Sequence, residues 1–193
     1  MSRISTYVSY SFRLLWYLLN FLFYKKLGVF SYVNNPLKIK GRKNIVIGPR
    51  VYVGYKSWIE CNPLSKNSQA ILEIGHGSSI GNFNHIYCTS KIKIGKKVLT
   101  ADKVYISDCS HNFSSIYKPI IDQGVKQLNS VEIGDGSWIG ESVSIIGSSI
   151  GKNSVIGANS VVVNDIPDYC VAVGSPAKIV KKFNLKSNKW VKF

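Results

Sequence analysis

Ile47-Gly48-Pro49-Arg50-Val51-Tyr52-Val53-Gly54-Tyr55-Lys56-Ser57-Trp58-Ile59-Glu60 places an aliphatic residue at every sixth position, and glycine follows the first two. The phrase returns as Ile74-Gly75, Ile80-Gly81 and Ile86, then as Ile94-Gly95, Thr100-Ala101 and Ile106-Ser107. It recurs again as Ile133-Gly134, Ile139-Gly140 and Ile145, and last as Ile150-Gly151, Ile156-Gly157 and Val162. A helix turning every 3.6 residues would carry successive isoleucines around its cylinder, so a six-residue spacing excludes an amphipathic helix. Short strands with a corner every six residues satisfy it. The aliphatic side chain points inward, the small residue beside it lets the backbone turn, and Ser, Val or Thr about four positions on fills the corner. Three such faces close one coil, which predicts an all-β parallel β-helix of about five coils: 47/53/59, 74/80/86, 94/100/106, 133/139/145 and 150/156/162.

The period is interrupted at 62–70, at 92–94, between Ile145 and Ile150, and most extensively from Asp108 to Ser130. Insertions in solenoids loop out on one face, and that face often binds. The 108–130 excursion is therefore the first place to look for chemistry.

At 193 residues the chain suits one domain, and a column of aliphatic side chains supplies its core. An open-ended, flat-sided coil stack is expected to oligomerise. Cys61, Cys88, Cys109 and Cys170 show no C-x-x-C spacing, and no cleavable signal precedes them, which points to reduced thiols in a cytoplasmic protein. The net charge is +15, yet no nucleic-acid motif accompanies the spread of basic residues, so no nucleic-acid partner is expected. The densest basic cluster lies in the tail, at Lys178, Lys181, Lys182, Lys186, Lys189 and Lys192. It reads as a solvated tail, or as a point-charge site for a phosphate-bearing cofactor or anionic lipid.

Three segments follow: an N-terminal amphipathic helical segment over 1–35, the β-helix over 36–180, and a basic tail over 181–193. In the first, the run from Phe12 to Tyr24 is rich in leucine and aromatics and is followed by Lys25-Lys26. It is too short to span a bilayer, which needs about 20 apolar residues. Two readings fit it: peripheral membrane contact through residues 12–26 at the inner face of the cytoplasmic membrane, or a helix packed on the solenoid's end or a sister subunit.

Of three histidines, His76 follows a turn and reads as a surface residue, whereas His85, in Asn82-Phe83-Asn84-His85, falls one coil from Tyr105. His85 is either a hydrogen-bonded structural residue or part of a groove beside the long excursion. His111 opens that excursion in Asp108-Cys109-Ser110-His111. A neutral imidazole there suits proton abstraction from a hydroxyl near neutral pH, with Asp108 as a candidate to orient the ring.

Several stretches together resemble the hexapeptide-repeat acyltransferases, and among them the O-antigen and capsule O-acetyltransferases of the WbbJ type. They are Ile74-Gly75 through Ile86, Leu99-Thr100-Ala101-Asp102 through His111, Val131-Glu132-Ile133-Gly134-Asp135-Gly136-Ser137-Trp138-Ile139-Gly140-Glu141, and Val155-Ile156-Gly157-Ala158-Asn159-Ser160 on to Gly174-Ser175-Pro176-Ala177-Lys178. The resemblance implies a left-handed β-helix and a homotrimer with active sites between subunits. It also implies acetyl-CoA as donor, a saccharide acceptor, and His111 as general base.

Galactoside and maltose acetyltransferases, more distant, have a similar Asn-Phe-Asn, which carries acceptor binding over to Asn84, with His85 beside it. Trp138, Gly140, Ala158 and Ser160 are the carried-over positions along the pantetheine arm, and Lys178, Lys181 and Lys182 those near the nucleotide phosphates. The chain departs from the family pattern in three ways. The excursion has one histidine where relatives often have two, Ile145-Ile146-Gly147 lacks the usual proline, and nothing before about residue 40 matches.

The expected reaction is direct acetyl transfer from acetyl-CoA to a hydroxyl of a surface-polysaccharide sugar. One alternative is transfer to the amine of a nucleotide sugar or antibiotic, and another is a non-catalytic scaffold. A metalloenzyme on the same fold would need several histidines meeting at zinc distance, and only His85 and His111 lie near the excursion, so no metal is expected.

Overall fold

The computed structural model describes residues 10–193; residues 1–9 of the 1–35 segment lie outside the described residues. From Lys26 the chain winds into a three-faced prism of stacked short strands. One face stacks Lys26–Leu27, Ile45–Ile47, Ile71–Ile74, Lys91–Ile94 and Val131–Ile133. The second stacks Tyr32–Val33, Tyr52–Val53, Ser79–Ile80, Leu99–Thr100, Trp138–Ile139, Val155–Ile156 and Cys170–Val173. The third stacks Lys38–Lys40, Trp58–Cys61, His85–Cys88, Tyr105–Ser107, Ser144–Ile146 and Val161–Val162.

Pairing within each stack is parallel, and the inward columns hold the expected register: Ile47 on Ile74 on Ile94 on Ile133, and Ile59 on Ile86 on Ile106 on Ile145 on Val162. These side chains are almost wholly buried. Burial of one such aliphatic side chain stabilises by about 1.5–3 kcal/mol, so the columns are the principal driving force of the fold.

Two local rules make the corners. Directly after the inward residue the next coil passes close by: a Cβ on Gly54 would lie 2.5 Å from the Gly81 carbonyl carbon. Three residues after it the backbone enters the left-handed region, as at Gly77 (φ 70°), Lys97 (φ 52°) and Asn159 (φ 60°). Four residues after it a small side chain is buried, as at Ser57, Val98, Ser137 and Ser154.

The solenoid is longer than the five expected coils. Leu27, Val33 and Ile39 pair with Ile47, Val53 and Ile59, which adds a coil whose first two strands lie inside the 1–35 segment. Ile166 and Ala172 pair with Ile150 and Ile156 and begin a further turn. The 181–193 stretch is not a loose tail. Strands Lys178–Asn184 and Lys189–Lys192 form an antiparallel hairpin that extends the second face beyond Cys170–Val173.

Ahead of the first coil, helix α1 (Tyr10–Asn20) packs on the prism's open end. Trp16 meets Tyr32 edge-on at 5.6 Å and lies 6.5 Å from Tyr24, which is itself buried. No described helix is long and apolar enough to cross a membrane.

Candidate active site

After Ser107 the chain leaves the third face as a hairpin arm. Cys109–His111 pairs antiparallel with Val125–Gln127, so that His111 stands opposite Val125. The arm is fastened at its root by Asp108, whose side chain is fully buried. One carboxylate oxygen accepts from Thr89 N–H at 2.7 Å and Thr89 Oγ1 at 2.8 Å. The other accepts from Ser90 N–H at 2.7 Å and Lys91 N–H at 2.8 Å. The Asp108 carbonyl in turn accepts from Gln127 Nε2 at 2.6 Å and from Leu128 N–H at 2.9 Å. With its oxygens committed to these donors, Asp108 does not orient the His111 ring as expected from the sequence. It holds the base of the arm on which His111 rides.

His111 and His85 line one pocket of about 220 Å3 with Tyr87, Tyr105, Cys109, Ser110 and Val125. His85 belongs to an outward ladder on the third face. Its ring stacks on Trp58 at 4.5 Å, tilts against Tyr105 at 5.2 Å, and meets Tyr87 at 6.1 Å. Burial lowers the His85 pKa below its ordinary value; the nearby Glu60 carboxylate opposes the shift and Lys38 adds to it. Nε2 of His85 is buried and has no hydrogen-bond partner. The His85 side chain thus lines the pocket beside His111, while its Nε2 is closed in by the surrounding rings.

Sequence reasoning set His85 near Tyr105 but missed Trp58, Lys38 and Glu60. Lys38 lies 4.1 Å over the Trp58 ring and pairs with Glu60 at 3.1 Å. Burial would raise the Glu60 pKa, but hydrogen bonds from Lys38, Trp58 and Asn62 hold it below its ordinary value. The readable signal was the outward position just before the inward isoleucine on successive coils of the third face, at 58, 85 and 105.

Asn84 does not reach this pocket. It lies four residues after Ile80, in the corner-filling slot, and is buried. Its amide donates to Ala101 O at 3.0 Å, and its Oδ1 accepts from Val104 N–H at 3.1 Å. Asn84 therefore closes a coil and offers an acceptor nothing.

The residues expected along the donor divide similarly. Gly140 is buried, its N–H is given to Ile156 O at 2.8 Å, and a Cβ there would strike Ala158 N at 2.6 Å. Ser160 is a buried corner residue whose Oγ donates to Gly157 O at 2.6 Å and accepts from Gly174 N–H at 3.0 Å. The Ser160 side chain and the Gly140 N–H thus serve packing. Ala158 is exposed at the corner above Gly140, and Trp138 stands exposed on the second face beside Leu99.

Strand register runs from Trp138 to Val155 to Val171 to Lys181, an outward column of three strand steps that spans about 14 Å. Lys178 and Lys182 lie exposed on the same strand, Lys178–Asn184. The column passes from an indole through two valines to ammonium groups, an order that suits a ligand with a slender arm and a phosphate-bearing end. Trp138 and His111 stand on different faces of the prism, so one copy does not bring them together. A larger groove of about 580 Å3 on the first face is lined by Lys93, Glu132, Lys152 and Asp168, which are paired with one another at 2.6 and 3.6 Å. Among the described residues no group of three or more His, Cys, Asp and Glu is placed to hold a metal ion.

No protein-family profile matches the chain. It is 31% identical over 153 residues to galactoside O-acetyltransferase of Escherichia coli K12, a match that covers 78% of this chain and 73% of that protein. It is 38% identical over 120 residues to WbbJ of the same organism, assigned to lipopolysaccharide biosynthesis as an O-acetyl transferase, which covers 58% of this chain and only 61% of WbbJ. The crystal structure of the polySia specific acetyltransferase NeuO superposes with a TM-score of 0.60 at 26% identity, covering 79% of this chain and 68% of that one. Repeat, arm and these likenesses agree: the chain belongs to the hexapeptide-repeat acyltransferases, the family of left-handed parallel β-helices.

Proposed function

We propose that the protein transfers the acetyl group of acetyl-CoA to a hydroxyl of a bacterial surface-polysaccharide sugar, with His111 as general base. The observation that carries this reading is the pocket shared by His111 and His85, set at the root of an arm that Asp108 holds in place. The acceptor hydroxyl gives its proton to His111 as its oxygen attacks the thioester carbonyl. The tetrahedral oxyanion collapses, the carbon–sulfur bond breaks, and His111 returns the proton to the departing thiolate. His85, whose pKa burial lowers, lines the same pocket and is proposed to pack against the acceptor beside His111. Acceptors named for the relatives, galactosides and lipopolysaccharide, favour a saccharide.

The donor occupies the column from Trp138 and Ala158 toward Lys178, Lys181 and Lys182, contributed by a neighbouring subunit of a homotrimer. Two features support this assembly. Base and column lie on different faces, and the arm carries Phe113, Ile116, Tyr117 and Ile121 at 71%, 88%, 90% and 86% exposure, more apolar surface than a free loop sustains.

The test is incubation with labelled acetyl-CoA and lipid-linked oligosaccharides carrying both hydroxyl and amino sugars, followed by mass spectrometry to locate the acetyl group. Acetyl on oxygen supports the reading. Acetyl on nitrogen alone, or no incorporation and no thioester hydrolysis, contradicts it.

A further inference from the structure

Helix α1 turns a mixed aromatic and polar side to the protein. Arg13, Trp16, Tyr17 and Asn20, spaced i, i+3, i+4 and i+7, are the half-buried residues of its inner face. Asn20 Nδ2 turns back to Trp16 O at 2.9 Å, and the Arg13 guanidinium lies 5.9 Å from the Tyr52 ring centre. The opposite side is continuous aliphatic surface: Leu14, Leu15, Leu18, Leu19 and Leu22 are 40–69% exposed. A helix whose only task was to cap the solenoid would be expected to turn its leucines inward.

The surroundings of that face are cationic. Lys25 and Lys26 follow it, both exposed, and Lys43 Nζ bonds Leu22 O at 2.6 Å, which fixes an ammonium group at its edge. No Asp or Glu occurs before Glu60, whereas ten lysines and arginines do.

We propose that this face seats the protein on an anionic lipid bilayer, with α1 lying in the plane of the headgroups. Its 11 residues extend about 16 Å, short of the roughly 30 Å hydrocarbon core, so the helix lies on the membrane and does not span it. A leucine face bordered by lysines is the composition of an interfacial helix. A second copy is the poorer occupant. Joining two such ends would bring their uncompensated cations together, whereas anionic headgroups neutralise them. The inference stands independently of the proposed reaction.

The test is sedimentation of the full chain with vesicles of phosphatidylcholine containing phosphatidylglycerol, and with phosphatidylcholine vesicles alone. Binding to the anionic vesicles that weakens as salt rises is expected. Leu18→Glu with Leu19→Glu is expected to weaken it at least tenfold, and Lys25→Gln with Lys26→Gln by roughly tenfold or more. Circular dichroism and solution mass are measured on each variant. Should the leucine variant fail to fold, the lysine pair decides, since its exposed side chains can be changed without disturbing the core. Failure of the wild type to bind, equal binding to both vesicle types, or a leucine variant that changes subunit assembly but not vesicle binding overturns the proposal.

Discussion

The Asp108 carboxylate accepts three backbone N–H groups and the Thr89 hydroxyl where no water reaches, so its removal strands buried donors. Asp108→Ala is expected to cost about 3 kcal/mol in denaturant unfolding, while Asp108→Asn, which keeps one acceptor oxygen, costs less. At His85 the pKa lies below its ordinary value because burial disfavours the charged ring. The unfolded chain takes up this proton near pH 6.5, and the folded chain resists it. The stability from a neutral His85 is therefore complete above about pH 6.5 and is lost as pH falls through the depressed folded value. His85→Phe, which keeps a ring against Trp58, is expected to flatten the stability profile from pH 6.5 downward; parallel curves for wild type and variant would refute this. Residue roles were partly legible in the sequence. Asn84 and Ser160 each fall four residues after an inward isoleucine, and the corner rule applied to them would have placed both inside. The buried, unpartnered Nε2 of His85 depends on strands brought together by folding, which no local pattern records.

The arm is the element on which the proposed assembly and the proposed chemistry meet. Ile116 and Ile121 are 88% and 86% exposed and contribute to no described core. Ile116→Asp with Ile121→Asp is expected to leave the β-helix folded, to shift the solution mass from trimer to monomer, and to lower transfer at least 100-fold. Sedimentation velocity checks this, and an unchanged trimer would count against the arm as the subunit clasp. The coils from Ile47 onward were legible because each inward residue is marked by its period and most by a following glycine. The first coil was not: Leu27 is followed by Gly28, but Val33 and Ile39 are followed by Asn34 and Lys40. The C-terminal hairpin escaped reading because its lysines mask a strand alternation that only the edge of the second face stabilises.

At the scale of the molecule, one prism keeps three features apart. The third face carries the His111 pocket, the second carries the column from Trp138 to Lys181, and the N-terminal end carries the leucine face of α1. The prism sets the His111 pocket and the Trp138 column on different faces, and the proposed reaction needs a neighbouring copy to bring them together. The base at His111 is the central claim. Its most direct test is the rate of acetyl transfer to a saccharide acceptor by His111→Ala, with CoA affinity and solution mass measured on the same sample. The account predicts a loss of about 10²–10⁴-fold in rate with CoA affinity and assembly unchanged. Transfer at the wild-type rate would contradict it.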